Sequence, residues 1–137
     1  MSLPQWHAWP VFIVVTLVGD LLCVALAAFG DVTRRYHMPH IFWWILWIAQ
    51  IPLALQVIGG VTLLAEGARP RTPLHLMYGG LIVATIAALY GLRPRGALRR
   101  AVVKDERTYR ESRWLFLLCL FLAALVGRAY MTGVQGR

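Results

Sequence analysis

Charged residues are scarce in this chain, and acidic residues are the scarcest of them. Of the 137 residues, 15% are Asp, Glu, Lys or Arg, and only six are acidic. The mean hydropathy is +0.62. This composition excludes a soluble domain, which would carry about 25% charged residues. The two cysteines, Cys23 and Cys119, are interpreted as inert buried thiols and not as a disulfide or a metal site.

Several sequence signals are also missing. No nucleophile–base pair, phosphate-binding loop or complete metal-ligand set is present, so no enzymatic reaction is predicted. Residues 1–8 contain no Lys or Arg, whereas a secretory signal begins with a basic region. The first apolar segment is therefore expected to remain in the protein. Alternation with a period of two is absent, which excludes a transmembrane barrel.

The apolar residues fall into four long runs, at about 9–29, 41–64, 74–92 and 114–131. Each run has close to the roughly 20 residues that a helix needs to cross the hydrocarbon core of a bilayer. In lipid, such a segment has to satisfy its own backbone hydrogen bonds, which a helix does. The sequence predicts an all-α fold, a four-helix transmembrane bundle forming one domain over residues 1–137.

The net charge of +8 is unevenly distributed. Ten Lys and Arg residues lie in the loops after the first and third runs, eight of them in the basic loop 93–113. The positive-inside rule places these loops in the cytoplasm and both termini outside, in a multi-pass protein of a prokaryotic cytoplasmic membrane. The basic loop is expected either to be solvated or to lie on anionic lipid as a short helix. No nucleic-acid partner is predicted.

The second and third runs contain residues suited to close contacts. Gly79 and Gly80 belong to a stripe of small residues in the third run, against which another helix or a flat cofactor can pack. Gln56 is one of two amides in the second run, and each amide needs a hydrogen-bond partner within the bundle. That partner is either an interhelical backbone carbonyl or a bound cofactor or substrate.

His7 and His75 are expected at the same membrane level. They stand at the beginnings of the first and third runs, which cross the membrane in the same direction. Two imidazoles at equal depth in a bundle can be the axial ligands of the iron in a b-type haem. His7 can equally be a solvated interfacial residue.

Two charged residues lie within the predicted spans. Asp20 is deep in the first run, where it is either a proton or substrate-coupling carboxylate or a protonated side chain bonded within the bundle. Arg128 lies near the outer end of the fourth run. It is expected to bind a haem propionate or to extend to lipid headgroups.

The pattern Gln56-x2-Gly59-Gly60-x-Thr62, followed by a loop and His75, resembles one half of the haem A synthase family. That family is built from two four-helix halves, in which a helix bearing Gln and Gly precedes a helix opened by a haem-ligating histidine. The resemblance covers the second and third runs and implies that His75 is such a ligand. It implies by position that His7 corresponds to the histidine opening an earlier helix. The synthase reaction itself is not inferred.

Three functions are compatible with these features. The first is a haem-binding or haem-site-derived subunit of a respiratory or photosynthetic membrane complex, acting in electron transfer. The second is a cofactor-free accessory subunit that packs within a larger membrane complex or a homo-oligomer. The third is a small multidrug-type, proton-coupled transporter, which depends on Asp20 alone.

Overall fold

The computed structural model describes residues 9–70 and 72–134, which contain five helices and no strand. The long helices are α1 (Pro10–Val32), α2 (His40–Ala65), α3 (Pro73–Leu92) and α5 (Glu111–Val134), and the short helix is α4 (Ala97–Val102). Each long helix has the length and apolar character to cross a bilayer. The prediction of four such helices is therefore confirmed.

The helix boundaries follow local sequence signals. Pro10 and Pro73 occupy the first turns of α1 and α3, where a missing N–H costs nothing. Helix α5 begins at Glu111, about a turn earlier than the hydropathy pattern predicts. The reason is that Glu111 and Ser112 are polar but buried, and the Ser112 N–H donates to the Tyr36 carbonyl at 2.9 Å. Hydropathy alone misses the first turn of a helix that begins with buried polar residues.

The long helices are not packed in chain order. Helix α1 packs between α2 and α5, and α3 packs on the other side of α5, next to α4. At the contact between α1 and α2, a Cβ on Gly19 would overlap the Ala49 side chain, so the two backbones approach closely. The backbones of the consecutive helices α2 and α3 do not approach each other in this way. One side of the bundle is therefore open between α2 and α3.

The outside of the bundle is apolar and its interior holds polar groups. Large apolar side chains such as Val18, Trp44 and Ile58 are 62%, 66% and 62% exposed, respectively. Asp20 and Thr16 are in contrast completely buried. An exterior of large apolar side chains suits a bundle surrounded by lipid, and the remaining core is apolar.

Candidate functional site

A cavity of about 620 Å³ lies between α2 and α3 and is closed at the back by α5. We name it the His75 cavity. It lies at the end of the bundle where α3 begins. The opposite end carries residues 33–39 and 93–110, and we call it the basic end. Most of its lining is aliphatic, with polar groups from His75, Gln56 and Arg69. Its volume is within the roughly 300–1,000 Å³ typical of ligand pockets.

The glycines of α3 open this cavity. Both Gly79 and Gly80 line it, and a Cβ added to either would meet no atom within 4 Å. The small-residue stripe predicted from the sequence is therefore not a helix-packing surface at these two positions. Gly91, near the other end of α3, does pack closely, because a Cβ added to it would lie 2.7 Å from the Cβ of Leu98 in α4. The stripe therefore faces open space near His75 and packs against α4 at its other end.

The ring of His75 is held in place by α5. Its Nδ1 lies 3.2 Å from the carbonyl oxygen of Ala129, and a Cβ on Gly133 would be 3.3 Å from its Cε1. A carbonyl oxygen can only accept, so Nδ1 carries the proton in this hydrogen bond. The lone pair of the neutral ring is then on Nε2. Metal-ligating histidines have this same arrangement, in which a backbone carbonyl orients the ring from the other nitrogen.

The predicted site residues are only partly assembled around this cavity. His75, Gln56, Gly79 and Gly80 all line it. Arg128 is exposed and does not contribute to the lining, whereas Arg69, which the sequence did not single out, does. His7 lies outside the described residues.

Asp20 lies elsewhere in the bundle, in a separate polar cluster. Its Oδ1 accepts a 2.7 Å hydrogen bond from Gln50 Nε2, which joins α1 to α2. The hydroxyl of Thr16, one turn away, has no hydrogen-bond partner among the described residues, and neither do Asp20 Oδ2 and Gln50 Oε1. The partner of Gln50 is therefore a side chain, neither of the alternatives predicted for the amides.

Replacing Gln50 by leucine is expected to lower the free energy of unfolding by about 1–3 kcal/mol, because the buried Asp20 carboxyl then loses its hydrogen-bond donor. Asp20→Asn is the matched control. Its amide can still accept from Gln50 Nε2 and can also donate to Gln50 Oε1, so its stability is expected to stay close to that of the wild type. Denaturant titration in detergent micelles measures both values. Equal losses in the two variants would contradict this pairing.

A second polar cluster lies at the basic end. The buried guanidinium of Arg99 donates to Glu111 Oε1 at 2.6 Å and to Glu106 Oε2 at 2.7 Å. The other oxygen of Glu111 accepts from the Met38 N–H at 2.9 Å. Glu111 therefore joins α4, the α1–α2 loop and the beginning of α5. The hydrogen bond from Arg99 is the main cause that lowers the pKa of the Glu106 carboxyl. The same hydrogen bond is the main cause that raises the pKa of the Arg99 guanidinium.

The described residues contain no group of three or more His, Cys, Asp or Glu side chains that could hold a metal ion by themselves. His37 and His40 stand at the basic end, where His37 is exposed and its Nδ1 is 3.7 Å from Glu111 Oε2. Comparison of the chain with protein-family models, with curated proteins and with solved structures finds no match.

Proposed function

We propose that the chain is a multi-pass protein of a prokaryotic cytoplasmic membrane, with the basic end in the cytoplasm and both termini outside. Four apolar helices whose large side chains face outward support the membrane location. The charge distribution supports the orientation, because ten Lys and Arg residues lie in the two loops of the basic end, or at its boundary with α5.

We further propose that the His75 cavity binds a b-type haem. The observation that carries this proposal is the position of His75, which lies on a large apolar cavity with its Nδ1 hydrogen-bonded to the Ala129 carbonyl. Gly79 and Gly80 leave room beside the imidazole for a flat macrocycle. The resemblance of α2 and α3 to one half of the haem A synthase family is consistent with the same role for His75.

Each part of the cavity has a role in this proposal. His75 would hold the haem iron through its Nε2, and Gln56 would be a polar contact for the haem. Arg69 replaces Arg128 as the partner of a propionate, since an Arg binds a carboxylate in a bidentate manner and Arg69 lies on the cavity. The aliphatic lining suits the apolar macrocycle. His7 is the second axial ligand expected from the sequence.

A bound haem supplies reversible one-electron transfer, so we propose a role in membrane electron transport as a subunit of a larger complex or as a homo-oligomer. The alternative is a cofactor-free accessory subunit. The cavity favours the first, because Gly79 and Gly80 leave open space beside His75, a residue type that can ligate iron. The hydrogen bond from Gln50 gives Asp20 a partner within the bundle, and no other feature supports the transporter alternative.

The absorption spectrum of the dithionite-reduced protein tests the proposal. Protein purified from cells with an ample haem supply is expected to show the α band of a b-type haem, and His75→Ala is expected to lose it. His37→Ala is the matched control, because His37 is exposed at the basic end, far from the cavity. Added imidazole is expected to restore the band in His75→Gly, which separates loss of the ligand from loss of the fold. A featureless wild-type spectrum would favour the cofactor-free alternative.

A further inference from the structure

A second recess lies at the basic end, where α2 begins and α3 ends. We name it the Arg93 recess. It has a volume of about 530 Å³ and is lined by His40, Trp43, Trp47, Arg93, Pro94 and Arg95. None of these residues belongs to the His75 cavity or to the Arg99 cluster. The recess is therefore a separate feature, and its role is independent of haem binding.

A tight turn places the two arginines of the recess. The Gly96 N–H donates to the Arg93 carbonyl at 2.7 Å, and a Cβ on Gly96 would collide with the Gly91 carbonyl oxygen, so only glycine fits there. Arg95 has a φ of 65°, a left-handed conformation that is unfavourable for a residue with a side chain. The chain thus turns sharply after α3 and keeps Arg93 and Arg95 next to the first turns of α2.

Aromatic rings hold Arg93 against α2. Its guanidinium carbon lies 3.5 Å from the centre of the Tyr90 ring, within range of a cation–π interaction. Tyr90 in turn contacts Trp47 at a centroid distance of 5.8 Å, and Trp47 stacks with Trp43 at 6.2 Å. This ladder of rings connects α3 to α2 across the open side of the bundle. The cation is therefore fixed in position before any ligand arrives.

The chemistry of the lining points to an anion. It contains two arginines, a histidine and two tryptophans, and no Asp or Glu. Two buried donors, Arg93 Nη1 and Trp43 Nε1, have no hydrogen-bond partner among the described residues. Trp43 is only 6% exposed. Buried donors are normally satisfied, and Arg99 shows the usual solution with two carboxylates. An anion bound in the recess would supply an acceptor for both donors.

The location selects the kind of anion. The recess lies at the ends of two membrane-span-like helices, where lipid phosphates are found, and arginine and tryptophan are residues that favour this interface. Next to it, the apolar residues Trp44 and Ile48 are exposed on α2. We propose that the Arg93 recess binds the phosphate of an anionic phospholipid, whose acyl chains lie along the open side between α2 and α3.

Native mass spectrometry of the full-length protein in micelles tests this proposal. Phosphatidylglycerol is expected to remain bound to the wild type under conditions that remove phosphatidylcholine. Arg93→Gln is expected to weaken retention of phosphatidylglycerol about tenfold, as the loss of one charge-assisted hydrogen bond implies. Arg100→Gln is the matched control, because it removes the same charge from an exposed residue of α4 that does not line the recess.

Trp43→Phe provides an independent variant, because it keeps the ring and removes only the indole N–H. Weaker retention in this variant, with unchanged unfolding temperature, would support the site. Equal weakening by Arg93→Gln and Arg100→Gln would overturn it, because the attraction would then come from the general positive charge. Displacement of phosphatidylglycerol by inorganic phosphate at comparable concentration would also overturn it, since the recess would then prefer a free anion to a lipid.

Discussion

Replacing Glu111 by alanine is expected to lower the free energy of unfolding by about 3 kcal/mol or more, the largest stability effect that we predict for a single substitution. Glu111 is 2% exposed and its partner Arg99 is 7% exposed, so alanine leaves a guanidinium buried beside an empty space. The change also removes the acceptor of the Met38 N–H. The link between the α1–α2 loop, α4 and α5 is then lost.

Two further variants separate this effect from a general change of charge. Glu106→Ala removes the other carboxylate bound to Arg99, but the Glu106 side chain is 57% exposed, so only a small loss is expected. The double variant Arg99→Met, Glu111→Leu removes both buried charges and is expected to recover most of the stability. Denaturant titration in micelles measures all three. Equal losses in Glu111→Ala and Glu106→Ala would contradict the assignment of Glu111 as the central group.

Replacing Gly79 by leucine is expected to abolish haem binding and to leave the fold intact. A side chain at this position points into the His75 cavity, where a Cβ meets no atom within 4 Å, and would occupy the space of the macrocycle. Leucine also stabilises a helix relative to glycine, by about 0.7 kcal/mol. The unfolding temperature is therefore expected to stay the same or to rise while the α band disappears.

Gly127→Leu is the matched control for this experiment. A Cβ on Gly127 also meets no atom within 4 Å, but Gly127 does not line the cavity. Its leucine variant should gain the same helix propensity and keep the haem spectrum. Retention of the full α band by Gly79→Leu would show that the haem does not occupy this cavity.

The sequence predicted the four long helices because hydropathy and length are sufficient to identify a membrane span. It also singled out His75, Gln56, Gly79 and Gly80, which the structure brings to one cavity. These residues are rare polar groups or glycines in otherwise aliphatic helices, so each is conspicuous without knowledge of the packing. The helices are apolar almost all round, however, and periodicity does not reveal which faces meet.

The remaining parts of the site depend on that packing. Ala129 contributes only its backbone carbonyl to the His75 contact, and no side-chain pattern announces such a role. Arg69 lies in a short loop between two apolar runs, where only its charge is evident from the sequence. Asp20 and Gln50 were both conspicuous, but their pairing depends on the rotation of α1 against α2. Glu111 lies among many arginines in a basic segment, so its burial is not evident from the sequence.

The haem content of the purified wild-type protein tests the central proposal most directly. Haem is extracted from a known amount of protein into alkaline pyridine and quantified after reduction, in parallel with the His75→Ala variant. The proposal predicts one b-type haem per chain in the wild type and almost none in the variant. A wild-type protein that is folded, was produced with ample haem and contains none would contradict it.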